Sequence, residues 1–458
     1  MLLRFAVENH LSIKEKQELS LVASALKDRE DGLIPCNATP GKRVLPAAVI
    51  YGANASGKTN IIDALRFMRR AVVSSHSRLE PGEPIPRSPF RLDPACAGHP
   101  SAFEIDFIVA GERYHYGFEA LDEAFQSEWL YVFHNNRRQM LFERKAGEAI
   151  AFGRGLKGRN RVNRVIEDLT RPNSLFLSTA AQNNHEQLSP VAGFFQDIEI
   201  ESAKNFSEWE ISERLSDDNV SKKIIEFLAN IRTGVVDFRR REDNDLGYYT
   251  ILLTDIYRNA LDNNKRDAPK TKTIIRSPSD VISEATAQDP TLGERLRRPL
   301  KFKWPRTPLI ELAHRDSGGN IVFFDLERES AGTQRLLGML GTIYHALDKG
   351  TFIVIDELDA SLHTQASEAV LALVSTAALN PKEAQLITTT HDTNLLRSEL
   401  LRRDQIWFTE KDEGGATHLY PLSDFSTRQG DNIEKGYLQG RFGAIPFAGS
   451  VADLLADG

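Results

Sequence analysis

Cysteine is nearly absent from this sequence: Cys36 and Cys96 are the only two in 458 residues. Two thiols are too few for a disulfide framework or a cysteine-rich metal site, and a reducing cytosol is the natural expectation. Long apolar runs are missing as well. No stretch of about 18 apolar residues occurs, so no segment is expected to cross a membrane. The first residues, MLLRFAVENH, contain an acid and no extended apolar core, unlike a secretory signal peptide. There is no internal repeat, no low-complexity tract and no sustained heptad seam. Charge of either sign is not in great excess: 57 Lys and Arg against 64 Asp and Glu leave a net −7. That balance argues against a chain that coats nucleic acid along its whole surface, although it leaves room for local basic stretches.

Apolar residues make up 41% and charged residues 26%, enough for a sizeable core. The length suits two or three domains. Alternation in LLRFAVENHLSIKEKQELSLVAS (Leu2 to Ser24) predicts paired strands. LPAAVIY (Leu45 to Tyr51) reads as a buried strand running into GANASGKTN, followed by a helix with Ile61, Ile62, Leu65 and Met68 at helical spacing. Phe103, Ile105 and Phe107, then Tyr114, Tyr116 and Phe118, flank a glycine-containing turn and predict a hairpin, and SEWLYVFHNNRRQMLFERK continues the same antiparallel sheet. Between about Arg161 and Pro308 the pattern is mixed, with a helix at SKKIIEFLANI and a polar, mobile stretch at NNKRDAPKTKTIIRSPSD. LIELAHRDSGGNIVFFDL predicts a second hairpin with Asp316 to Asn320 as its turn. From there TQRLLGMLGTIYHAL, TFIVIDE, QASEAVLALVSTAAL and AQLITTTHD alternate helix and strand, the order of a parallel sheet with helical crossovers. The expected class is α/β: a phosphate-loop parallel sheet with helices, an antiparallel β lobe, and a mixed, partly helical insertion. The expected divisions are residues 1–160 (phosphate loop and antiparallel lobe), 161–308 (insertion) and 309–458 (C-terminal half with the acid strand).

GANASGKT fits G-x-x-x-x-G-K-[ST], with Gly52, Gly57, Lys58 and Thr59 at the fixed places, a strand before and a helix after. Such a loop curls backbone N–H groups around phosphate oxygens. Gly52, Ala53, Asn54, Ala55, Ser56, Gly57, Lys58, Thr59 and Asn60 are therefore the candidate nucleotide-binding residues. Lys58 would reach the β and γ phosphates, and the Thr59 hydroxyl would ligate Mg²⁺. ATP and Mg²⁺ are the expected ligands. TFIVIDE ends in adjacent carboxylates that strand alternation would aim differently. Asp356 would serve the Mg²⁺ shell, and Glu357 would orient or deprotonate an attacking water. In LITTTHD a second apolar strand leads to His391, placed to hydrogen-bond the γ-phosphate or the water. ERESAGTQRL (Glu327 to Leu336) opens a helix with a small hydroxyl-bearing turn. In isolation it reads as a serine N-cap, and a helix start is also a ready anion site.

The order of these segments resembles an ABC-type ATPase head. In that family the signature turn meets the γ-phosphate held by a second copy. The resemblance therefore assigns Ser330, Gly332 and Thr333 to an ATP bound in the phosphate loop of another subunit. More narrowly, LLRFAVENHLSIKEKQELSL, YGANASGKTNIIDAL, ESAGTQRLL, IVIDELDASLH, TTTHDTNLL, LRRDQIWFTEK and YLQGRFGAIPF together resemble the prokaryotic AAA-type ATPases with an ABC-like head. These are relatives of the OLD, RecF and SMC ATPases. The nearest resemblance is to the RloA-like group, with the AriA-like ATPases of the two-gene PARIS system in the same broad group. The match runs to about Phe447 and is least specific in the middle third. Three positions depart from the pattern. His363 stands where transporter cassettes carry an aspartate, no glutamine stands out as the one on the Mg²⁺ side, Gln126 being one candidate, and His10 occupies a place expected to be aromatic. The insertion is too short for an SMC arm, and too few residues follow His391 for an appended TOPRIM nuclease domain.

The resemblance implies an ATP-driven switch in anti-phage defence. ATP would be hydrolysed at composite sites between subunits of a homodimer or larger homo-oligomer, controlling a separately encoded effector such as a nuclease or an RloB-like protein. The expected setting is cytoplasmic and off the membrane. The alternative is a RecF-like DNA-binding ATPase in repair, while intact Lys58, Asp356 and Glu357 disfavour an ATP-independent scaffold. Two basic stretches, RGLKGRNRVNR (Arg154 to Arg164) and RLRRPLKFKWPR (Arg295 to Arg306), could each meet a nucleic-acid backbone or an acidic partner, or simply be solvated loops.

Overall fold

The strand Ala47–Gly52 is the pivot of the fold, because both of its neighbours come from the far end of the chain. It pairs in parallel with Gln385–Thr389 on one side and Ile406–Lys411 on the other. It is buried along its whole length, which is why its sequence is apolar throughout rather than alternating. The computed structural model describes residues 1–201, 208–242 and 308–445, apart from 37, 40, 136, 159, 398 and 429. The polar stretch at 263–280 and the basic stretch at 295–306 lie outside these residues.

The chain divides into two units. The first comprises Met1–Phe206, Arg214–Thr233 and Ser330–Gly458, and the second Ser207–Glu213 and Gly234–Glu329. In the first unit, a six-stranded sheet runs in the order Glu199–Glu201, Phe352–Ile355, Gln385–Thr389, Ala47–Gly52, Ile406–Lys411, Thr417–Pro421. All its pairings are parallel except the last. Five strands therefore end on one edge, the edge at which open α/β sheets carry ligands.

A seven-stranded antiparallel sheet accompanies it, in the order Ala151–Phe152, Arg137–Lys145, Phe125–His134, Glu112–Ala120, Ser101–Val109, Leu2–Glu8, Gln17–Ser20. The expected hairpin is present in register, with Phe103 opposite Phe118, Ile105 opposite Tyr116 and Phe107 opposite Tyr114. Its turn places Ala110 and Gly111 at φ 49° and 79°, the left-handed pair that a two-residue hairpin requires. Side chains of both sheets share one hydrophobic core with the helices Lys58–Arg78, Phe176–Gln182 and Leu188–Gln196. Ile61, Ile62, Leu65 and Met68 face that core from the first of these. The fold is thus α/β with a parallel sheet, its helices and an antiparallel lobe, as the sequence predicts. No helix among the described residues is long and apolar enough to cross a membrane.

One carboxylate is enclosed by this core. Glu128 is fully buried and accepts the Phe176 N–H at 2.6 Å, the Leu177 N–H at 2.9 Å and the Tyr116 hydroxyl at 3.0 Å. Burial pushes its pKa up, and Arg144, 3.7 Å away, opposes the rise.

His10, which departs from the expected aromatic, fills an aromatic place. Its ring lies 5.7 Å from Phe67 and 5.3 Å from Phe103, is 4% exposed, and neither ring nitrogen has a hydrogen-bond partner. Burial lowers its pKa to about 4. The folded chain thus binds this proton more weakly than the unfolded chain, so the neutral ring's contribution is present above about pH 6.5 and is lost as the pH falls towards 4. The loss amounts to about 3 kcal/mol. His10→Phe should remove this part of the acid sensitivity and, by removing an unpaired buried N–H, leave the protein at least as stable at pH 7. Denaturation midpoints of both proteins at pH 7 and 4.5 test this. An equal drop in the two would refute it.

In the second unit the strands Asp237–Glu242, Pro308–Arg315 and Ile321–Asp325 form an antiparallel sheet. The predicted turn is made by the Asp316 side chain, which accepts the Gly318 and Asn320 N–H groups at 2.8 Å each, with Gly319 at φ 83°.

Candidate nucleotide-binding site

The loop after Ala47–Gly52 is shaped by its glycines and held by hydroxyl groups. Gly57 precedes the helix Lys58–Arg78 at φ 104°, and a side chain there would strike Thr417. At Gly52 a Cβ would lie 2.6 Å from both Ser56 Oγ and Thr409 O. Ala55 holds φ 63°, a left-handed conformation that costs a non-glycine residue about 1 kcal/mol. Ser56 Oγ and Thr409 Oγ1 are 2.6 Å apart, and Thr417 Oγ1 donates to Ser56 O at 2.9 Å. Ser12 joins the brace, 2.7 Å from Thr417 Oγ1, and accepts from Asn60 Nδ2 at 2.5 Å. Asn54 and Ala55 are exposed at the tip, Ala53 is half-buried, and Ser56, Gly57 and Lys58 are buried.

Lys58 is folded onto its own loop. Its Nζ donates to Gly52 O at 2.7 Å and Ala53 O at 3.0 Å. Burial lowers its pKa to about 8, against the pull of Asp356, Glu357 and Asp359. A phosphate chain laid over the loop would exchange those two carbonyls for anionic oxygens, a stronger charge-assisted pairing. The pH dependence follows. Below pH 8 the head is already an ammonium, whereas above it binding must take up a proton, so ATP affinity should fall up to tenfold per pH unit above 8. Titrating a fluorescent ATP analogue at pH 7, 8.5 and 9.5 tests this, and a flat profile would contradict it.

Thr59 Oγ1 lies 3.4 Å from Asp356 Oδ1, which also accepts the Thr389 hydroxyl at 2.6 Å. A hydroxyl and a buried carboxylate form a hard-oxygen pair of the kind Mg²⁺ takes when phosphates and water complete its shell. Among the described residues no cluster of three or more His, Cys, Asp or Glu could hold a metal ion.

The acid pair lies just beyond its strand, whose last residue is Ile355. Strand alternation therefore does not separate Asp356 from Glu357. The separation comes from the backbone of Glu357, which sits at φ 53°. Its N–H donates to Thr389 Oγ1 at 2.7 Å, and its carbonyl accepts from Arg335. Arg335 also donates to Asp356 O at 3.1 Å, so one guanidinium from the helix Ala331–Lys349 grips both carbonyls. His391 is held through its backbone N–H, 3.2 Å from each Asp359 carboxylate oxygen, and the Thr390 hydroxyl donates to the same carboxylate at 2.8 Å. Its exposed ring has a lowered pKa, first from partial burial and then from Lys58, with Asp359, Glu357 and Asp356 opposing. Lys58, Asp356, Glu357 and His391 thus act on one another electrostatically.

Ser330 caps the helix Ala331–Lys349, accepting the Thr333 N–H at 3.1 Å, with Thr333 Oγ1 2.9 Å away. Gly332 leaves no room for a side chain, since a Cβ would lie 2.5 Å from Ser361 O. Ser330, Gly332, Thr333, Ser361, Leu362 and His363 line a cavity of about 360 Å³ that no phosphate-loop residue borders. His363 is the N-cap of Thr364–Ser375, its Nδ1 accepting the Gln365 N–H at 3.3 Å. Gln126 lies in the antiparallel sheet, with its carbonyl accepting from Ala146 N at 2.8 Å. Arg335, Asp359, Thr389, Ser12, Thr409 and Thr417 are site residues that motif reading misses. All but Thr417 stand inside the segments that carry the family resemblance, yet nothing local marks them as part of the site.

No curated protein matches this sequence. Among solved structures, a match is the SMC head bound to the C-winged helix domain of ScpA, at 14% identity and TM-score 0.39, covering 92% of this chain and 97% of that one. A family model described as "AAA domain, putative AbiEii toxin, Type IV TA system" matches residues 47–397, from the phosphate-loop strand past His391. With most of its length so matched, this chain belongs to that family of AAA-type ATPase domains.

Proposed function

We propose that the chain is an ATP-driven switch in anti-phage defence. It joins a second copy around Mg·ATP, hydrolyses the nucleotide at the composite site, and thereby controls a separately encoded effector such as a nuclease. The observation that carries this reading is the division of the site into two parts. Lys58, Thr59, Asp356, Glu357 and His391 are gathered at one sheet edge, while Ser330, Gly332 and Thr333 open into a cavity that no phosphate-loop residue lines. Loop N–H groups and Lys58 would seat the phosphates. Thr59 and Asp356 would hold Mg²⁺, which when bound neutralises charge on the β and γ oxygens. Glu357, fixed through its backbone, would aim its carboxylate at the attacking water, with His391 beside the γ-phosphate. The Ser330 turn of the second copy would supply the last hydrogen bonds to that phosphate, so hydrolysis would be slow until two copies meet. Energy would then lie in the different affinity of ATP for joined and separate copies.

Light scattering on Glu357→Gln, with and without Mg·ATP, tests the reading. The mass should rise with ATP, and Ser330→Arg should abolish the rise. A monomer under both conditions would refute the composite site. A second reading, a DNA-binding ATPase, is favoured by the exposed cations Arg154, Lys157 and Arg161. Salt-dependent DNA binding by the isolated protein would support it.

A further inference from the structure

The helix Asn160–Leu169 carries the end of the basic stretch that begins at Arg154. At about 100° per residue, Asn163 and Ile166 point the same way. Both are buried, Ile166 in the core and Asn163 with its Oδ1 3.1 Å from His185 Nε2. Val162, Val165 and Leu169 occupy the adjoining arc, and they are 49%, 52% and 48% exposed. The apolar face of this helix is therefore wider than the part the fold covers. These three side chains are among only nine large hydrophobics exposed in the described residues, and they sit on two turns of one helix. Contiguous exposure of that kind marks a contact surface, whereas isolated exposed hydrophobics are ordinary.

The rim beside the arc is cationic. Arg154, Lys157 and Arg161 are exposed, against a single exposed acid of the helix, Asp168. Arg164 is already engaged: it donates to Ile150 O at 3.1 Å and Glu167 at 2.6 Å and lies over the Phe152 ring. The two halves of the surface together distinguish its occupant. A nucleic-acid backbone would use the cations but gain nothing from valine and leucine, which neither pair with phosphate nor stack on bases. A protein helix with an apolar stripe and an acidic rim uses both, in the manner of amphipathic helices laid against a groove or face.

We propose that the helix Asn160–Leu169 is a docking site for an acidic amphipathic segment of a partner protein, with Val162, Val165 and Leu169 as the apolar contact and Arg154, Lys157 and Arg161 as the charged rim. The surface uses no residue of the nucleotide site, so it stands or falls separately from the ATPase reading.

The test uses the full chain and a fluorescently labelled synthetic helix of leucine and glutamate, read by anisotropy. The probe should bind more weakly as salt rises. Val165→Ser and Arg161→Glu should each weaken binding about tenfold without lowering the melting temperature. A charge-reversed leucine–lysine helix should not bind. No binding of the acidic helix, or binding that both substitutions leave unchanged, overturns the proposal. So does binding of labelled DNA that Arg161→Glu abolishes and Val165→Ser does not, which would make the surface a nucleic-acid contact. Self-association lost in Val165→Ser would instead make the occupant a second copy, and would equally overturn it.

Discussion

Glu357→Gln is expected to lower ATP turnover by about two to three orders of magnitude while leaving ATP bound. The expectation rests on how Glu357 is held. Its left-handed backbone is fixed by the Thr389 hydroxyl on the N–H and by Arg335 on the carbonyl, while among the described residues no hydrogen bond ties down the carboxylate. An amide of the same shape keeps that backbone and loses only the ability to accept a proton or hold a water as an anion would. Lys58 and the loop N–H groups, which would carry affinity, are untouched. Phosphate release under single-turnover conditions, beside binding of a fluorescent ATP analogue, separates the two quantities. Turnover within about threefold of the parent would remove Glu357 from the reaction, and loss of binding together with turnover would assign it to the nucleotide pocket instead.

The second large effect is on stability. Glu128→Ala should cost about 3 kcal/mol or more, because it leaves the Phe176 and Leu177 N–H groups and the Tyr116 hydroxyl without their acceptor and Arg144 without its counter-charge. All of this lies where water cannot substitute, since Glu128 has no exposed surface. Glu128→Gln should cost less, since it retains one acceptor oxygen, but not nothing, since its amide nitrogen would face a donor. Denaturation midpoints in the order parent, Gln, Ala would bear this out. A midpoint for Ala equal to the parent would mean that those donors find other partners.

What could be read from the sequence follows the range of the interaction responsible. GANASGKT and TFIVIDE are local patterns, and a strand, a turn and a helix start suffice to define them. The hairpin around Ala110–Gly111 is equally local, because a two-residue turn fixes its own register. The reason given for the different aims of Asp356 and Glu357 is another matter. Strand alternation presumes a strand that in fact stops at Ile355, and the residue that holds Glu357 in its bent conformation, Thr389, lies on another strand. The hydroxyl brace is beyond reach for the same reason: Thr409 and Thr417 are undistinguished until the fold sets them against Ser56, and Ser12 until it meets Thr417. His10 looked anomalous because residue type alone cannot report that a ring is buried between Phe67 and Phe103, and hence neutral.

The position of Ala47–Gly52 between Gln385–Thr389 and Ile406–Lys411 also sets the order in which the molecule can be assembled. A ribosome makes both of its neighbours more than three hundred residues after this strand, so the loop-closure entropy of its two pairings is met only once that intervening length has been made. Until then an all-apolar strand has two open edges, the condition under which nascent chains misassociate. The phosphate loop, whose shape depends on Thr409 and Thr417, cannot be braced before that moment either. Competence to hold a nucleotide therefore waits on the strands that carry Thr409 and Thr417, and a chain truncated before Ile406 would carry the motif without the pocket.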